Sequence, residues 1–139
     1  MSGNLTFTIV KPRAVRKGYT GPILKLIADA GFRISALKMI HLTRKVAADF
    51  YKVHKGKPFY ESLVDFMVTG PIVVAILEKE NAVEDYRKLI GATDPSKAEE
   101  GTIRKLYADS VQANAVHGSD SEENAVLEAS YFFPLSERF

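Results

Sequence analysis

The run "PIVVAIL" at 71–77 constrains the fold more than any other stretch of the chain. It is continuously apolar and rich in β-branched residues, the pattern of a central strand with no face turned to water. Such a strand is stable only when both sides are covered, so the remaining segments must supply layers above and below it. With 139 residues the chain can build one compact domain with one core, and is too short for two. Residues 1–139 therefore read as a single domain.

The other periodicities supply the layers. "LTFTIV" at 5–10 alternates Leu5, Phe7 and Ile9 with two threonines and reads as a half-buried strand. Thr20-Gly21-Pro22 opens a helix with Ile23, Leu24, Ile27 and Ala30 as its apolar stripe and Gly31 as its cap. Residues 32–42 return to strand, and the alternation of Phe32, Ile34 and Ala36 slips to Leu37 and Met39, as at a bulge or in a strand covered on both faces. Thr43 caps a helix over roughly 44–54, with Val46, Ala47, Phe50 and Val53 inward. Further helices are predicted at 60–69, stopped by Gly70-Pro71, and at about 81–90, closed by Gly91. A short strand and a last helix over about 120–133 complete an α+β order.

Residues 92–116 differ from the rest. They contain Pro95, Gly101 and many polar residues with little sustained periodicity. A loop of this length in a small domain is functional or disordered. Arg104 within it and His117 directly after it favour function.

The loop runs into "NAVHGSDS", residues 114–121. Ser119 with Glu122 fits a capping box, and Asp120 and Ser121 are further candidate caps. His117 thus precedes a helix N-terminus, where free N–H groups and the dipole favour an anion. On that helix Glu128 shares a face with Ala125 and Phe132, and a carboxylate in an apolar stripe requires a partner. An imidazole is a suitable one. A carboxylate behind a histidine fixes its tautomer and raises its basicity, which suits a nucleophile directed at phosphorus. From spacing alone, a satisfied structural histidine is the commoner outcome, and the sequence does not say which ring nitrogen faces outward.

Composition removes several classes. The absence of cysteine excludes disulfides, thiolate nucleophiles and cysteine zinc sites. His41, His54 and His117 lack paired-ligand spacing, so no protein-held metal is expected. A net charge of +2 gives no reason to expect nucleic acid as the main partner, although "KPRAVRKG" and "HKGKP" crowd cations that would suit a small anion. "MSGNLTFTIVKPR" lacks a signal-peptide layout and no apolar run approaches a membrane span, so a cytoplasmic protein without a membrane partner is expected.

"NAVHGSDS" resembles the active-site stretch of the nucleoside diphosphate kinases. "TFTIVKP" resembles that family's first strand and its lysine, "HKGKPFY" its His-Lys-x-Arg-Pro-Phe-Phe segment, and "GATDP…GTIR" its long loop, so the resemblance covers nearly the whole chain. It implies a ferredoxin-like βαββαβ core with an antiparallel sheet, added helices and a long substrate-binding loop. It also implies ping-pong transfer of a γ-phosphate, typically from ATP, to nucleoside diphosphates, with broad base and sugar tolerance.

By motif match, His117 would carry the phosphoryl group, and Glu128 with Ser119 would hold its ring. Lys11 and Asn114 would meet the ribose hydroxyls, with Lys11 also reaching toward the phosphates. Arg87, Thr93 and Arg104 would bind the phosphate chain. Tyr51 and His54, three apart on one predicted helix, would line the phosphate pocket. Phe59 resembles the base-stacking residue, with ordinary core packing as the competing reading, and Leu63 and Val111 are further candidates for the base side. Mg²⁺ would be held mainly by the nucleotide phosphates. The family forms homo-oligomers, and a hexamer is slightly favoured here over a tetramer.

The chain departs from the family pattern at Arg13, Lys57, Tyr60, Lys79 and Leu106. These residues touch expectations about subunit contacts and loop stability, not the chemistry. Two other readings remain open at this level: a non-catalytic nucleotide- or nucleic-acid-binding module, and a hydrolase with His117 as general base.

Overall fold

The computed structural model describes residues 4–139. Residues 1–3, on which the reading of the N-terminus partly rests, lie outside the described residues. Four strands form one antiparallel sheet: β1 (Leu5–Val10), β2 (Arg33–Ile40), β3 (Ile72–Glu78) and β4 (Val116–Gly118), in the order β2-β3-β1-β4. The apolar run predicted to be central is β3, between β2 and β1. Its side chains divide by parity, as a strand must. Ile72, Val74 and Ile76 join one core cluster with Phe7, Ile9, Ala47, Met67, Ala129 and Phe132, while Val73, Ala75 and Leu77 join another with Ile23, Ile27, Tyr86 and Ile90.

The first cluster is roofed by α3 (Arg44–Phe50), α4 (Tyr60–Met67) and α7 (Glu122–Phe132). The second is roofed by α2 (Thr20–Asp29), α5 (Ala82–Ile90) and α6 (Ile103–Tyr107). A short helix, α1 (Pro12–Arg16), follows β1 directly and was not evident from the sequence because five residues cannot show a stripe. Strand, helix, strand, strand, helix, strand is the ferredoxin-like order, taken by β1, α2, β2, β3, α5 and β4, with α1, α3, α4, α6 and α7 added to it.

Several sequence-based expectations need correction. β1 is covered on both faces: Thr6 and Thr8 are as buried as Phe7 and Ile9. Thr8 is accommodated because its hydroxyl donates to His117 O at 2.8 Å and lies 2.7 Å from the Tyr86 hydroxyl. The phase slip in β2 is a bulge between Ile34 and Ala36. The helix expected over 44–54 breaks at Phe50, and Lys52–His54 form a separate 3₁₀ turn. Residues 92–116 are less irregular than predicted, since they contain the 3₁₀ turn Pro95–Lys97 and α6, each too short for periodicity to reveal. The last helix is capped by Ser121, which accepts from Asn124 N–H at 3.0 Å, and not by Ser119.

β4 is only three residues long, yet it carries the histidine. His117 pairs with Ile9 and Gly118 with Thr8. A Cβ on Gly118 would stand 3.0 Å from Ile90 Cδ1 and 3.2 Å from Tyr86 Cδ2. Both neighbours are fully packed, and the Tyr86 hydroxyl is fixed by Thr8. Gly118→Ala is therefore expected to destabilise the fold by about 1–2 kcal/mol through overpacking. Urea unfolding at matched protein concentration checks this, and an unchanged midpoint would contradict it.

Candidate active site

His117 enters from an edge strand, with its ring on the α3/α7 side of the sheet. It is packed by Phe50 at 5.8 Å between ring centroids and by Phe7 at 6.2 Å. Its Nε2 lies 2.9 Å from Glu128 Oε1, and Ser119 Oγ donates to that same oxygen at 2.7 Å. Freed from capping, Ser119 also accepts from Phe7 N–H at 3.3 Å and so fastens the pair to β1. A carboxylate at Nε2 places the ring proton there and leaves the Nδ1 lone pair unused.

Tyr51, at the C-terminus of α3, and His54, on the following 3₁₀ turn, line one cavity of about 400 Å³ with His117 and Glu128. They do not share a helix, but their rings still stack at 6.4 Å. The Tyr51 hydroxyl and His54 Nδ1 are buried without a hydrogen-bond partner. Burial, and then the charge of Glu128, hold the Tyr51 hydroxyl far above the usual phenol range, so it stays a proton donor. Burial, followed by Lys57, lowers the His54 pKa below the ordinary histidine value.

Arg87, Thr93 and Arg104 line a second cavity of about 440 Å³, together with Lys88, Lys97 and Thr102. A shallow hollow between the two is bordered by Arg87 and Lys88, which also line the second cavity, and by Asp120, which also borders the His117 cavity. Arg104 does more than the resemblance implies. Its Nε, Nη1 and Nη2 donate to the carbonyls of Asn114, Gly91 and Val116 at 3.3, 3.1 and 2.9 Å, so it fixes the backbone leading into His117. Burial lowers its pKa to about 10, which leaves it charged at neutral pH.

Lys11 Nζ donates to Asn114 Oδ1 at 2.7 Å, and Asn114 Nδ2 donates to Thr93 O at 3.3 Å. Burial, then the charge of Arg104, brings the Lys11 pKa down to about 7. Between Asn114 and Val116, Ala115 adopts φ 72°, a left-handed conformation strained for a residue with a Cβ. That strain reverses the chain between the lysine partner and the histidine, and a run of "NAV" carries no sign of it.

Phe59 is 47% exposed and Val111 56%, so core packing is set aside for both. Leu63 packs partly against the first core cluster. The lips bearing Phe59 and Val111 meet where Ser62 Oγ donates to Gln112 Oε1. Neither Ser62 nor Gln112 was singled out from the sequence, because a pair fifty positions apart leaves no local pattern.

A histidine oriented by a carboxylate, beside cations on an α+β sheet, serves the handling of phosphoryl groups, and the class is that of a phosphotransferase. Comparison with known proteins narrows the class. The family description "Nucleoside diphosphate kinase" matches residues 4–138. The chain is 55% identical over 139 residues to the nucleoside diphosphate kinase of Flavobacterium psychrophilum, covering 100% of both chains. It is 58% identical over 132 residues to that of Chlorobium chlorochromatii, covering 95% of this chain and 94% of the other. Among solved structures, the Aquifex aeolicus nucleoside diphosphate kinase superposes with a TM-score of 0.95 at 41% identity, covering 98% of this chain and 99% of the other. A halophilic nucleoside diphosphate kinase from Halobacterium salinarum, solved in complex with CDP, gives 0.93 at 33% identity, covering 99% and 92%. The chain belongs to the nucleoside diphosphate kinase family, and its activity is nucleotide phosphotransfer.

Proposed function

We propose that His117 Nδ1 is the phosphoryl acceptor of a ping-pong reaction between nucleoside triphosphates, typically ATP, and nucleoside diphosphates. The observation that carries this is the Nε2–Glu128 contact at 2.9 Å, which holds the proton on one side of the ring and exposes the lone pair on the other. The Nδ1 lone pair attacks the γ-phosphorus, the bond from that phosphorus to the β-bridging oxygen breaks, and the diphosphate leaves with the electron pair. The Nε2 proton stays against Glu128 throughout. A second diphosphate then attacks the phosphohistidine and reverses the step.

The chain's own groups divide the remaining work. Tyr51 and His54 offer otherwise unpartnered polar atoms to phosphoryl oxygens, and Arg87, Thr93 and Arg104 offset and orient the phosphate chain. Lys11 and Asn114 take the ribose hydroxyls, with Lys11 also near the phosphates. Phe59, flanked by Leu63 and Val111, stacks the base without reading its edge, which supports broad base tolerance.

Among the described residues, no three His, Asp or Glu side chains gather to hold a metal ion. The donors around the site are cations, amides and hydroxyls, and they fit Mg²⁺ carried by phosphate oxygens. There the ion would offset charge as the bond breaks. The whole chain acts as one domain in a homo-oligomer, a hexamer in preference to a tetramer, located in the cytoplasm. No helix of the described residues is long and apolar enough to cross a membrane.

Incubation with γ-labelled ATP and Mg²⁺, followed by removal of nucleotide, tests the mechanism. Acid-labile, base-stable label on the protein that unlabelled GDP converts to GTP is the expected result. Steady release of free phosphate without labelled protein would favour the hydrolase reading and overturn this one.

A further inference from the structure

The residues between α6 and β4 close into a small self-contained tip. Asp109 N–H donates to Ala113 O at 2.9 Å, and Ala113 N–H donates to Ser110 Oγ at 3.0 Å. Val111 and Gln112 project from it. Hydrogen bonds internal to the tip fix its shape but not its place on the body of the protein.

Beside the neutral Ser62–Gln112 bond to α4, its place is set by charge. Arg13 Nε donates to Asp109 Oδ2, and Lys17 Nζ lies 3.2 and 3.0 Å from the two oxygens of the same carboxylate. Arg13 sits on α1 and Lys17 caps it, while Lys11 immediately precedes that helix. The two segments are therefore tied inside the site, by Lys11 Nζ to Asn114 and Lys11 N–H to Ala115 O, and again one turn outward by Arg13 and Lys17 to Asp109.

We propose that Arg13, Lys17 and Asp109 form an electrostatic clamp that positions the Val111 tip over the base-binding cleft and so sets nucleotide affinity. These are positioning residues and do not touch the reacting atoms. Two cations sharing one carboxylate restrict the tip more than a single exposed pair would, and the half-exposed setting makes the effect sensitive to salt. The clamp rests on the proposed assignment of Phe59 and Val111 to the base.

The test is steady-state kinetics of phosphoryl transfer to a nucleoside diphosphate by the full chain carrying Asp109→Asn, Arg13→Ala or both, with Phe59→Ala as reference. Asp109→Asn and Arg13→Ala are each expected to raise KM roughly three- to tenfold with kcat within about twofold, a difference that shrinks as salt rises because screening weakens the clamp in the unsubstituted chain. The double variant is expected to be no worse than Asp109→Asn alone, because the two residues act through one contact. Thermal unfolding separates this from loss of structure, which would lower kcat and active-site content together. An unchanged KM in Asp109→Asn while Phe59→Ala raises it overturns the clamp and leaves the cleft standing. An unchanged KM in both overturns the clamp together with the base assignment. Additive effects in the double variant also overturn it.

Discussion

His117→Ala is expected to reduce turnover by about four orders of magnitude or more while leaving nucleotide binding near that of the parent protein. The asymmetry follows from where the ring sits. His117 projects from the edge of the sheet, with its Nε2 facing Glu128 and its ring bordering the cavity shared with Tyr51 and His54. The cations that would grip the phosphates line a separate wall, fixed by α5, α6 and their own hydrogen bonds. Removing the ring takes away the acceptor but not the grip. Glu128→Gln should be far milder, about ten- to hundredfold in kcat, because an amide oxygen still accepts the Nε2 proton and keeps the tautomer. Turnover measured with a coupled nucleotide assay, beside calorimetric nucleotide binding, separates the two quantities. A His117→Ala protein that still turns over within tenfold of the parent, or still accepts label from ATP, would falsify the nucleophile assignment.

The sheet was legible because burial on both faces leaves a signature in composition, and β3 shows it most clearly. The same logic misjudged β1, where Thr6 and Thr8 resemble a wet face but are buried, Thr8 against Tyr86 of α5. Thr8 satisfies its hydroxyl through Tyr86 and the His117 carbonyl, contacts between positions far apart in the chain. The histidine and its carboxylate were legible because helix spacing brings Glu128 onto the inner face of α7, while the resemblance alone paired Ser119 with Glu128 and local spacing read it as a cap, a place that Ser121 takes. Arg104 shows the limit from the other side. A motif points to a phosphate ligand, and the structure adds that the same guanidinium braces the carbonyls of Gly91, Asn114 and Val116. Such a brace depends on a backbone course, with Ala115 in the left-handed region, that no local pattern announces.

Lys11→Met is expected to make the unliganded protein more stable at neutral pH and nearly inactive. Lys11 is almost wholly buried, its ammonium has Asn114 as its hydrogen-bond partner, and Arg104 stands near enough to repel it. Its pKa of about 7 in the folded chain lies below the ordinary 10.5, so between these values the unfolded chain holds a proton that the folded one has released. Stability attributable to this residue therefore rises as pH goes from about 7 toward 10.5, and the full penalty is present below 7. Methionine removes that penalty, and after the lost bond to Asn114 is set against it, a gain of roughly 2 kcal/mol remains near neutral pH. Nucleotide binding has the opposite sign. Phosphate oxygens beside the ammonium would stabilise its charged form, so binding draws a proton onto Lys11, and KM for nucleotide rises by up to about tenfold per unit as pH climbs above 7. Urea unfolding and KM measured across this pH range test both halves. Loss of stability in Lys11→Met together with a flat KM profile in the parent would show that the lysine is comfortably neutral and plays no electrostatic part. The expected pairing, stability gained and substrate lost, would mark Lys11 as a charge kept buried in an unfavourable place because the ligand makes that place favourable.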